Sequence, residues 1–125
     1  MSSLDISTLT SKGDKLLETF VKKNGLDGAL LATAEGLEMA HYFKSDKDSD
    51  IISADIASLL ASTSSVLSNT ESGTLSEMII NADGGAIAVK DLGEEVALGV
   101  IAPAGFKMGG LIVALKVFLK ELQAV

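Results

Sequence analysis

Two stretches of this chain, "GALLATA" (residues 28–34) and "EVALGVIA" (95–102), are apolar at nearly every position. Successive side chains of a strand point to opposite faces of a sheet, so a strand apolar at both parities has to be covered on both sides. Both stretches therefore belong in the middle of a sheet that carries helices above and below. The remaining segments must supply those covers and the sheet's edges.

Residues 4–23 place Leu9, Leu16, Leu17, Phe20 and Val21 on one helical face and Lys12, Asp14, Lys15, Glu18, Lys22 and Lys23 on the other, with Asn24-Gly25 as a left-handed stop. Residues 26–34 and 37–43 read as a hairpin turning at Glu35-Gly36, and Glu38 interrupts the second strand, "LEMAHYF", as suits an edge. After the polar loop "KSDKDSD", Asp50 is expected to cap a helix over 51–69. Three more strands follow at 75–82, 85–91 and 95–102, with turns expected at Asp83-Gly84 and Leu92-Gly93. A last helix over 106–124 carries Leu111, Ile112, Leu115, Phe118, Leu119 and Leu122, while Gly109 and Gly110 either weaken its start or let it pack closely on the sheet. The order helix, two strands, helix, three strands, helix is not an alternating βαβ string. It points to an α+β fold, and 125 residues with no linker or repeat suit one domain over 1–125.

Composition removes several classes of function. Ten lysines and no arginine are dispersed among 17 acidic residues, which leaves no basic stripe for nucleic acid and disfavours an anionic membrane surface. The longest apolar run, "MGGLIVAL", is far shorter than a membrane span, so no membrane insertion is expected. The opening "MSSLDISTLTSKGDK" lacks the basic and apolar regions of a signal peptide, and cysteine is absent, so the expected location is cytoplasmic.

Candidate chemistry is equally sparse. Asp46, Asp48 and Asp50 have calcium-loop spacing, but Ile51 and Ala57 stand where that loop requires Gly and Glu. "GVIAPAGFKMGG" lacks the Gly-Lys-Ser/Thr of a phosphate loop. His41 is the only histidine and reads as an ordinary residue on an edge strand; a hydrolase built on it would lack the usual nucleophile elbow. Met39, Met78 and Met108 read as core residues. No catalytic, metal-binding or cofactor-binding residues are assigned.

What remains is the segment 51–69, which has no charged residue between Asp55 and Glu71. Ile52, Ile56, Leu59, Leu60, Thr63, Val66 and Leu67 form one stripe that should pack on the sheet. The other side carries Ala54, Ala57, Ser58, Ala61, Ser65 and Ser68, small and uncharged at helical spacing, a surface another backbone can approach closely. A second copy crossing about a two-fold axis would bring this patch onto itself, and edge pairing through "LSEMIINA", at Ile79 and Asn81, would extend the contact.

"GALLATAEGLEMA", "ISADIASLLAS" and "GAIAVKDLGEEVALGVIAPAGFKMGGLIVAL" together resemble the roadblock/dynein light chain family across nearly the whole chain, through Gly28, Glu35-Gly36, Ser53-Ala54, Gly85 and Gly93. The resemblance implies an α/β sandwich of roadblock/profilin-like type. Its five-stranded antiparallel sheet has the order 2-1-5-4-3, with the middle helix on one face and the N- and C-terminal helices on the other. It further implies homodimers, or heterodimers with a paralogue, built through the middle helix and third strand, and a non-enzymatic role regulating or scaffolding a Ras-like small GTPase. The alternative it leaves is a passive, light-chain-like scaffold subunit. Without an arginine this chain has no arginine finger to donate, so any effect on GTP hydrolysis would come from repositioning groups of the GTPase.

Overall fold

The computed structural model describes residues 4–124. Its elements run α1 (Ile6–Asn24), β1 (Gly28–Thr33), β2 (Glu38–Phe43), α2 (Ser49–Asn69), β3 (Met78–Ala82), β4 (Gly85–Gly93), β5 (Val96–Pro103) and α3 (Met108–Gln123). The strands form one antiparallel sheet in the order β2-β1-β5-β4-β3. β1 and β5 are central, and the two-sided burial expected of them is present: all of Val96–Val100 and Gly28–Ala32 is buried.

The sheet divides the apolar residues into two cores. Ala29, Leu31, Leu98, Val100 and Ala102 face α1 and α3, where Phe20 and Phe118 stack with ring centroids 4.1 Å apart. Leu30, Ala32, Val89 and Ala97 face α2. The α1 contact is close because Gly13 has no side chain: a Cβ there would lie 2.5 Å from the Ala40 Cβ.

Local chemistry moved several boundaries. The cap of α2 is Asp48 rather than Asp50, its carboxylate accepting from the N–H groups of Asp50 and Ile51 at 3.1 Å each, which starts the helix at Ser49. The β4–β5 turn falls at Glu94-Glu95, not Leu92-Gly93. Leu92 stays packed against the α1/α3 core, the Asp91 carboxylate takes the Gly93 N–H at 2.8 Å, and the register slips by a bulge between Asp91 and Gly93. Both turn glutamates adopt positive φ, 54° and 63°, as a tight two-residue hairpin of matching twist requires. β3 begins only at Met78, since the preceding segment is tied by the Lys90 ammonium to the Ser76 carbonyl (2.9 Å) and Glu77 (3.8 Å) rather than by strand pairing. Met108 is 49% exposed and not a core residue, whereas Met39 and Met78 pack against the two cores.

Candidate functional site

Five strands about 4.8 Å apart make a sheet roughly 20 Å wide. A helix is about 10 Å across, so two helices cover such a sheet and one covers half of it. α1 and α3 together cover one face. The other face has α2 alone, packed through Ile56, whose side chain fits against Gly99 where a Cβ would come within 3.0 Å.

Half of that face is left open. Phe43, Ile101, Ile87 and Ile80 lie in one cross-strand row through Gly28, spanning all five strands beside α2. They line an apolar trough of about 270 Å³ with Ile52, Asp55 and Leu59 of the helix. Ile80 is 37% exposed, and on the same flank of α2 Ile51 is 60% and Val66 59% exposed. Val66 therefore does not pack on the sheet as its place in the apolar stripe suggested. Leu67, the next residue and about 100° round the helix, takes up the half-buried position. β3, uncharged along "MIINA", ends the sheet here without a further strand among the described residues.

The sequence-selected residues fall into two groups. Ala54, Ser58, Ala61, Ser65 and Ser68 are exposed and Ala57 is half-buried, so all six lie on the outward flank of α2, away from the trough. The hairpin turn reaches this flank: Gly36, at φ 93°, sits where a Cβ would be 3.1 Å from the Ala54 Cα, so glycine serves both the turn and the approach to the helix. Ala57, Ala61 and Ser64 border a second groove of about 350 Å³, rimmed by Asp91, Glu94 and Glu95. Ile79 and Asn81 are not brought to the α2 side. Strand alternation turns Ile79 into the α1/α3 core, and it is Met78 and Ile80 that share the face with α2, Met78 Sδ accepting from the Thr63 hydroxyl at 3.2 Å. The trough and Ile80 were missed in the sequence because an alternating strand does not say which parity meets which helix.

Asp55 lines the trough and Asp91, Glu94 and Glu95 rim the second groove, but no histidine joins them in either lining. His41 is bound to Glu38, with its backbone N–H given to Asp14 at 2.9 Å, and Asp48 is committed to its helix cap. Among the described residues no group of His, Asp and Glu could hold a metal ion. Ser53, a fully buried residue of α2, has a hydroxyl with no partner among the described residues. α2 is long and apolar enough to cross a membrane by length and composition alone, and here it lies across the sheet with most of its surface exposed.

A family model described as the Roadblock/LC7 domain matches residues 12–102. Among solved structures, a Roadblock/LC7 domain from Streptomyces avermitilis is similar at 17% identity, covering 89% of this chain and 94% of its own, with a TM-score of 0.79. Myxococcus xanthus MglB is similar at 14% identity, covering 91% and 94%, with a TM-score of 0.82. A structure described as MglB with a tetrameric arrangement is similar at 19% identity, covering 92% and 88%, with a TM-score of 0.80. No curated protein matches the chain.

Proposed function

The chain belongs to the Roadblock/LC7 domain family, and on that premise we propose that it is a cytoplasmic, non-enzymatic regulator or adaptor that pairs with itself and binds a Ras-like small GTPase on the paired middle helices. The observation that carries this reading is the half-covered face beside α2. A second copy related by a two-fold axis lays its own α2 over the trough, with Ile51, Leu59 and Val66 meeting Phe43, Ile80 and Ile87, while the two β3 edges come together. Such a contact covers apolar surface that the single chain leaves in water. The tetrameric arrangement of one MglB is consistent with self-association in this fold.

Pairing through the trough leaves the small-residue flank outward, so Ala54, Ser58, Ala61 and Ser65 become the floor on which a GTPase rests. That floor has acidic neighbours, Asp50 in the first turn of α2 and Glu94 and Glu95 across the groove from Ala57 and Ala61, which suit a partner surface bearing lysine or arginine. The protein offers no arginine of its own to the nucleotide.

The test uses the Ras-like GTPases of the source organism. Binding, GTP hydrolysis and nucleotide release are measured with the unaltered protein and with Ala61→Arg, at an exposed position where the fold is expected to be kept. The expected result is a complex in which one of those rates changes, lost with Ala61→Arg while the self-associated mass is unchanged. Binding without any change in rate makes the protein a scaffold, and binding to none of the GTPases overturns the reading.

A further inference from the structure

The sequence scatters its lysines, but the fold gathers them. α1 and α3 carry six lysines against three acidic residues, whereas the rest of the chain carries four lysines against fourteen. Lys12, Lys15, Lys22, Lys23, Lys116 and Lys120 are all exposed on this layer, on the face of the sheet opposite α2. A molecule of net charge -7 thus has one basic side.

On that side runs a groove of about 540 Å³ between the C-terminal end of α1 and the outer flank of α3. Its apolar part is Val113, 60% exposed, and Val117, 46% exposed, one helical turn apart. Gly109 and Gly110 continue the same strip, and a Cβ on either would meet open space, so of the two readings of these glycines close packing on the sheet does not occur. Nothing among the described residues requires glycine there. Lys23 and Glu121 are the charged residues of its lining, Lys116 and Lys120 are exposed on α3 outside that lining, and Lys107, at the N-cap, precedes a helix start that has no side-chain cap.

We propose that this groove docks an amphipathic helix of a partner protein, apolar along the side that meets Val113 and Val117 and acidic along its flanks. The strip from Gly109 to Glu121 is about 18 Å long, three turns of helix, and the two glycines allow the incoming backbone to come close. Self-pairing through the same face would oppose lysines to lysines, and the concave, glycine-floored shape fits a rod better than a flat bilayer. The surface lies opposite α2, so this docking stands apart from the proposed GTPase contact, and either can fail without the other.

The experiment records amide resonances of isotope-labelled protein against two synthetic helical peptides about four turns long, which share a leucine stripe and carry either Glu or Lys on its flanks. The Glu-flanked peptide is expected to shift Gly109, Gly110, Val113 and Val117, to bind about tenfold tighter than the Lys-flanked one, and to weaken with added salt. Val113→Glu with Val117→Glu, both at exposed sites, should abolish the response and leave the rest of the spectrum unchanged. Equal binding of the two peptides, or shifts confined to α2, overturns the proposal. So does the absence of any response to the Glu-flanked peptide, and sedimentation on phosphatidylserine-containing vesicles would then assign the face to a bilayer.

Discussion

The two edge strands of the sheet are treated in opposite ways. At β2 the edge is closed: α1 packs on Ala40 through Gly13, the Asp14 carboxylate takes the outward His41 N–H, Glu38 pairs with His41, and Lys22 sits 5.7 Å from the Tyr42 ring. At β3 neither a helix nor a charge guards "MIINA", and on the α2 side its own Ile80 and the neighbouring Ile87 of β4 are partly in water. Unpaired strand edges invite another chain, and proteins that must stay apart block them with charges and covers. Guarding one edge and leaving the other bare would confine the proposed pairing to a single side, which is what a closed two-fold pair needs and an open-ended stack does not.

The largest effect should come from charging the bare side. Val66→Glu combined with Ile80→Glu should weaken self-association a hundredfold or more, about 3 kcal/mol, while the monomer stays folded because both residues are already exposed. Light scattering should then give the 12.9 kDa of one chain, and an unchanged larger mass would refute pairing at the trough. On the guarded side, Gly13→Ala forces a Cβ into Ala40 and should cost about 1–3 kcal/mol in denaturant unfolding. If stability is unchanged, α1 does not clamp β2.

Smaller effects sharpen the contrast. Asp14→Ala removes the acceptor for the His41 N–H and should cost about 1 kcal/mol, with faster hydrogen exchange at His41 and none at β3. The least effect is expected from acid. Asp5 is held below the usual carboxylate range by the Thr8 N–H, and Glu18 by the hydrogen bond and charge of Lys22. Because both are depressed in the folded state, their support is present above the unfolded carboxylate range and fades as pH falls through the folded values. Below about pH 4, loosening should appear first at α1, the element that covers β2, and amide chemical shifts will show whether it does.

Where the sequence misled, it did so at places governed by partners distant in the chain. Asp50 and Asp48 are equally good caps by type, and only the path out of the loop selects Asp48. Leu92-Gly93 looked like a turn because glycine is there, but burial of Leu92 kept it in the strand and pushed two glutamates into the turn instead. Of the two readings of Gly109 and Gly110, a weakened helix start or close packing on the sheet, the second does not hold, because a Cβ on either would meet open space. The small-residue flank from Ala54 to Ser68 was legible because it follows the period of a single helix.

The sequence by itself determined what depends on near neighbours: three amphipathic helices, five strands, and the central places of β1 and β5, since a strand apolar at both parities has no other stable location. The tertiary structure decided what depends on how many elements share a face. One helix over five strands leaves a trough, strand parity puts Ile80 rather than Ile79 beside it, and the packing of α1 next to α3 turns scattered lysines into a basic side. Periodicity fixes which face of an element is apolar, but coverage and charge are sums over the assembled surface.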